Sequence, residues 1–129
     1  TIANGGILMK PYLVDEVKDY NNKVLDKRGP RQLRRVVDRK TAETVRDMMV
    51  DVVKRGTGTA ARIDGVLVAG KTGTAEVENG DPHAWFVCFA PAEDPTVAVA
   101  VVVEHGGEGG RAAAPIARDV LVRALELRE

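Results

Sequence analysis

The chain has 129 residues, 44% hydrophobic and 29% charged, with 13 glycines and a formal net charge of zero. That is the composition of one globular domain at most, long enough to bury about two-thirds of its unfolded surface without metal or disulfide support. A single cysteine excludes an internal disulfide, no apolar run approaches a membrane span, and the absence of serine excludes any serine nucleophile drawn from these residues.

Residues 1–6, Thr-Ile-Ala-Asn-Gly-Gly, carry neither an initiator methionine nor a signal-peptide pattern, so the chain reads as a piece of something longer. Residues 7–17 are apolar and β-branched around Pro11, and a second short run follows at residues 23–25 after Asn21-Asn22. Proline cannot donate to an interior ladder and asparagine tolerates turn geometry, so a small peripheral hairpin is expected. Residues 29–37 read as a polar connection. The surrounding segment is basic: residues 1–55 hold 13 basic and 8 acidic side chains, against 6 and 11 in residues 56–129, giving halves of +5 and −5. Lys27, Arg28, Arg31, Arg34, Arg35, Arg39 and Lys40 have the charge to contact phosphates. With Asp26 and Asp38 interspersed and no aromatic platform beside them, they read as a solvated surface, and no nucleic-acid partner is expected.

A helix is expected from Asp38, a good N-cap, with Ala42, Val45, Met48, Met49, Val52 and Val53 spaced as one buried face. Lys54 and Arg55 suit its last turn and Gly56 its end. After the turn cluster 56–59, residues 63–72 read as a strand, residues 84–90 as a second and residues 96–103 as a third. The third is apolar without alternation, which predicts a central strand covered on both faces. Gly106, Gly107, Gly109 and Gly110 read as a flexible link, and Pro115 as the first turn of a final helix bearing Ile116, Ala117, Val120, Leu121, Ala124 and Leu125. Short links between successive strands favour an antiparallel meander, because a parallel crossover needs a dozen or more residues. The expected fold class is α+β, a three-stranded antiparallel sheet flanked by helices. Residues 1–37 form the peripheral hairpin and connection; residues 38–129 hold the helix, three strands and C-terminal helix.

Residues 65–72, Gly-Val-Leu-Val-Ala-Gly-Lys-Thr, satisfy the phosphate-loop pattern, but the context is wrong. Such a loop follows a strand and opens a helix whose amides hold the phosphates, whereas here the intervening residues are themselves strand formers. Read instead as Lys71-Thr72-Gly73-Thr74 at a strand end, the same residues match the third motif of the penicillin-recognising serine acyltransferases. The surroundings sharpen the match. Ala-Gly-Lys-Thr-Gly-Thr-Ala at 69–75 is followed by His-Ala-Trp-Phe-Val-Cys-Phe-Ala-Pro at 83–91, by a valine-rich strand ending in Val-Glu-His-Gly-Gly, and by Ala-Ala-Pro-Ile-Ala-Arg at 113–118.

In that order the chain resembles the C-terminal part of the transpeptidase domain of class B penicillin-binding proteins, most of all the type used in cell elongation. The resemblance covers nearly the whole chain. It implies a fragment of the β-lactamase/transpeptidase-like fold, and a D,D-transpeptidase in which a serine attacks a D-alanine carbonyl of a peptidoglycan stem peptide and a second stem's amine resolves the acyl-enzyme. β-Lactams would acylate the same serine. Within it, Lys71 would supply fixed positive charge near the substrate carboxylate and the catalytic hydroxyls, Thr72 and Thr74 hydroxyl donors to that carboxylate, and the Thr74 backbone N–H one of two oxyanion donors. Gly73 would allow close approach of substrate or neighbouring backbone.

The departures bound the expectation. The serine-x-x-lysine and serine-x-asparagine motifs are absent, so the nucleophile, its activating lysine and the other oxyanion donor would lie upstream, and this chain alone would be inactive. A β-lactam sensor or a serine β-lactamase would carry the same strand, and a non-catalytic partner-binding module using the charged first half is a further alternative. No cofactor and no metal are implied. His83 and His105 read as surface or hydrogen-bonded structural histidines, Cys88 as a buried small hydrophobe, and Trp85 as a core anchor. The expected location is the extracytoplasmic face of the bacterial cytoplasmic membrane, through an anchor elsewhere in the parent protein. The expected partners are stem peptides, β-lactams, the upstream half of the domain and, for the isolated chain, further copies of itself.

Overall fold

Asp38 starts the first helix as its side chain allows: Oδ1 accepts from the Thr41 backbone N–H at 2.7 Å and Oδ2 from the Thr41 hydroxyl at 2.9 Å. These bonds favour the charged carboxylate and hold its pKa below the ordinary value. Helix α1, Arg39–Arg55, ends where the Gly56 N–H bonds to Val52 O. Its buried face is Ala42, Val50 and Val53, with Met49 partly buried beside them. Met48, expected on that face, is 63% exposed. At 100° per residue it lies about 160° around the helix from buried Val50.

The computed structural model describes residues 1–126; residues 127–129, the end of the segment expected to run from residue 38 to 129, lie outside the described residues. The main sheet is antiparallel in the order β5-β6-β7, with β5 Ala69–Ala75, β6 His83–Ala90 and β7 Val97–Val103. Helix α2, Gly109–Glu126, packs along β6 and β7. Ala113, Ala114 and Ala117 are fully buried, and their small side chains let the helix lie close to the sheet. Phe86 and Leu121, both 0% exposed, fill the space between them. Arg62 donates to the Val53 and Lys54 carbonyls at the end of α1, and its own carbonyl accepts from Arg118 of α2 at 3.0 Å. The loop thereby joins the two helices.

Several expectations change. The central strand is β6, and β7 is an edge strand among the described residues. Val97, Val99, Val101 and Val103 are partly buried on the α2 side, while Ala98, Ala100 and Val102 are exposed, because α2 covers only one face. The first main strand begins at Ala69 and not at residue 63: the chain turns at Gly65, φ +77°, where the Val66 N–H bonds to Ile63 O at 3.2 Å. The final helix starts at Gly109, with the Arg111 and Ala112 N–H groups bonded to Glu108 O, so Pro115 lies inside it. Ile116 and Val120, expected to face the core, are exposed.

The N-terminal region is a pair of two-stranded ribbons. β1 Ile7–Met9 pairs with β4 Gln32–Arg35, and β2 Glu16–Lys18 pairs with β3 Val24–Lys27. The expected single hairpin is thus split at Pro11, and the expected polar connection contains a strand. Residues 21–36 are exposed throughout, so no hydrophobic burial marks β3 or β4. Backbone pairing alone defines them.

Candidate active site

Lys71-Thr72-Gly73-Thr74 lies inside β5, in register with Val87, Phe86, Trp85 and Ala84 of β6. Side chains alternate along a strand, so Lys71 and Gly73 share one face with Trp85 and Val87, whereas Thr72 and Thr74 point to the α2 side. What unites the four residues is the strand itself. β6 occupies one edge of β5, and no strand occupies the other among the described residues. Lys71 and Thr74 are exposed, Thr72 and Gly73 partly so. The Lys71 ammonium donates to the Thr72 carbonyl oxygen.

Neighbouring elements hold this strand through contacts that sequence reasoning passed over. The Thr57 and Thr72 hydroxyls are 2.8 Å apart and share a hydrogen bond. Helix α2 meets the strand at two glycines. A Cβ on Gly109 would stand 2.1 Å from Trp85 O and 2.6 Å from Gly73 O, and one on Gly110 would stand 2.3 Å from Thr57 O. Real Cβ atoms do not come within 3.0 Å of another heavy atom, so only glycine lets the helix start here. Gly109 and Gly110, expected in a flexible link, are packing positions, and Thr57, expected in a turn, reaches the motif. Their signal in the sequence was composition alone. At Gly73 the space is limited by the Trp85 side chain, 3.1 Å from where a Cβ would be. Gly70 is tighter: a Cβ would lie 2.6 Å from the Phe86 ring.

The other candidate groups separate from the motif. Trp85 is 41% exposed and no core anchor; Phe86, one residue on, points to the opposite face and takes that place. His83 and His105 meet edge to face with centroids 4.9 Å apart. The His105 N–H donates to His83 Nδ1 at 3.0 Å, and His105 Nδ1 lies 3.0 Å from Asp81 O. The pair ties the connection between β5 and β6 to the end of β7. Cys88 is buried in the sheet, and desolvation pushes its thiol up to about 11, which leaves it protonated and unreactive at neutral pH. Among the described residues no group of three or more His, Cys, Asp or Glu is placed to hold a metal ion.

The geometry amounts to a strand edge bearing one exposed ammonium and two hydroxyls, backed by α2 and Thr57, in a chain without serine. It suits an extended peptide with a carboxylate, bound by main-chain pairing and charge-assisted hydrogen bonds. The chain also has relatives among known proteins. Residues 1–122 match the sequence family described as the penicillin binding protein transpeptidase domain. Peptidoglycan D,D-transpeptidase PbpA of Mycolicibacterium smegmatis is 46% identical over 134 aligned residues, covering 97% of this chain and 27% of that protein. The D,D-transpeptidase domain of a peptidoglycan glycosyltransferase from Eggerthella lenta superimposes with a TM-score of 0.90 at 51% identity, over 98% of this chain and 30% of its own. Penicillin-binding protein A from M. tuberculosis, solved as its ceftriaxone acyl-enzyme, gives 0.90 at 42% identity, over 96% and 30%. The chain thus spans less than a third of each of these relatives.

Proposed function

The chain belongs to the family of penicillin-binding protein transpeptidase domains, and from that premise we propose that it forms the substrate-binding side of a class B peptidoglycan D,D-transpeptidase of the cell-elongation type. The serine and its activating lysine come from the rest of the protein. In this reading the stem peptide lies along the free edge of β5. Lys71 places a positive charge beside the peptide carboxylate and the reacting hydroxyl, and Thr74 donates its hydroxyl to the carboxylate. The serine Oγ forms a bond to the penultimate D-alanine carbonyl carbon, the peptide C–N bond breaks, and D-alanine leaves. An amine of a second stem then displaces the serine. During each addition the carbonyl oxygen becomes an oxyanion, which the Thr74 backbone N–H stabilises; one such donor is worth about 3 kcal/mol in the transition state.

Thr72 has a more specific task. Its hydroxyl is one partner in the 2.8 Å bond to Thr57. If Thr57 donates, the Thr72 hydrogen remains free for the substrate carboxylate. Thr57 then orients a binding group without touching substrate. A β-lactam, whose carboxylate and strained amide mimic the peptide end, acylates the same serine. The reaction takes place on the extracytoplasmic side of the membrane; among the described residues no helix is long and apolar enough to cross one, and the anchor belongs to the rest of the protein.

The observation that carries this reading is Lys71, exposed on an edge strand whose other residues are fixed by β6, Thr57 and α2. Its test is the rate at which a fluorescent penicillin labels the intact protein. Lys71→Ala lowers that rate by two or more orders of magnitude while the thermal midpoint moves little, because Lys71 contributes nothing to the core. Parallel losses of labelling and of stability would refute the assignment. The isolated chain, lacking serine, shows no mass increase after incubation with penicillin.

A further inference from the structure

The basic segment around residues 27–40 takes no part in this chemistry; its side chains are exposed apart from the partly buried Val37, yet two of them help to line a surface cavity. Where the two N-terminal ribbons meet, Lys10, Tyr12, Arg28, Gly29 and Arg31 line a cavity of about 410 Å³. The backbone fixes its walls: the Lys10 N–H bonds to Arg31 O and the Arg28 N–H to Asp15 O, both at 2.8 Å. Three cationic side chains and a phenol line the space, and no carboxylate does so among the described residues.

On helix α1 the arginines are matched. Arg39 pairs with Glu43, Arg46 with Asp47 and Arg55 with Asp51 at 2.9, 2.8 and 2.6 Å. Lys10 and Arg31 have no carboxylate within 4.0 Å among the described residues, and Asp26 approaches Arg28 only to 3.8 Å. Gathering three like charges, only one of them facing a carboxylate, costs Coulomb energy. Discounting Arg28 against Asp26, the cavity presents two uncompensated positive charges, a match for a phosphate carrying about −1.5 to −2 at neutral pH. Two guanidinium forks, a lysine point charge and a phenol hydroxyl supply the donors that its oxygens require. We propose that this cavity binds a phosphate group, either free in solution or on a soluble polymer, or as a lipid headgroup. The ribbons make no extensive contact with β5, β6 or β7, so the cavity is a site separate from Lys71.

Titration calorimetry on the intact protein tests this with inorganic phosphate, inorganic pyrophosphate, glycerol phosphate and malonate, alongside sedimentation with neutral vesicles doped with an anionic phospholipid. Binding of the soluble phosphates, or of the doped vesicles alone, is expected, and it weakens as salt rises. The first result identifies a soluble source and the second a headgroup. Arg28→Gln with Arg31→Gln reduces affinity at least about tenfold; Arg31→Lys, which keeps charge and fold but loses the planar fork, reduces it less. Penicillin labelling stays unchanged in each, so failure here is distinguishable from failure of the transpeptidase reading. Absence of binding to every probe, equal binding of malonate, or undiminished binding by the double variant would overturn the proposal.

Discussion

Gly109→Ala offers the sharpest test of how the motif strand is held. The added methyl would sit 2.1 Å from Trp85 O and 2.6 Å from Gly73 O, against a floor of 3.0 Å for real Cβ contacts. Both obstacles are backbone atoms of paired strands, so neither rotates away, and α2 or β5 retreats by about 1 Å, an overpacking strain of about 1–3 kcal/mol. Alanine's helix propensity returns at most about 1 kcal/mol, and less at the first helical residue. The net loss of stability is therefore about 1–2 kcal/mol, readable by denaturant titration of the intact protein. The functional loss is larger. A displacement of about 1 Å next to Gly73 moves Lys71 and Thr74 relative to the reacting serine, and misplacements of that size cost about a hundredfold in rate. Gly29→Ala is the control, because nothing lies within 4 Å of its Cβ position. If Gly109→Ala and Gly29→Ala label with penicillin at the same rate, helix α2 does not position the motif.

Thr57→Val removes the hydroxyl beside Thr72 and lowers acylation by about tenfold, while Thr57→Ser restores it; equal loss in both would make the effect one of packing. Cys88 titrates near 11 when folded against an ordinary 9.0. As pH rises from 9 toward 11 the unfolded chain loses this proton first, so stability falls by up to about 1.4 kcal/mol per pH unit across that window and is unaffected below it. Urea midpoints of wild type and Cys88→Ala, compared at pH 8 and pH 10, check this. The isolated chain self-associates, because Trp85, Val87 and Val102 share one exposed sheet face and β7 has a free edge among the described residues. A scattering mass that stays monomeric on dilution and concentration alike would contradict it.

Local signals determined much of this molecule. Asp38 and Gly56 mark the two ends of α1, because capping depends on neighbours in sequence. The spacing of the valine and aromatic runs, with links too short for a crossover, determined an antiparallel meander. The order Lys-Thr-Gly-Thr, His-Ala-Trp-Phe, valine run and Ala-Ala-Pro-Ile-Ala-Arg located the candidate site by resemblance, because a family is legible in the succession of short segments even where most of them only pack. Tertiary structure alone decided which strand is central and which face is covered. A run such as 97–103 has valine or alanine at every position, and only the single helix packed on it makes alternate residues inside or outside. It also decided that Trp85 is outside and Phe86 inside, a choice of strand parity that composition does not carry. The same holds for Gly109, Gly110 and Thr57. Each lies far along the chain from a carbonyl or hydroxyl it meets, and a close approach between remote backbones exists only once the helix is laid against the sheet.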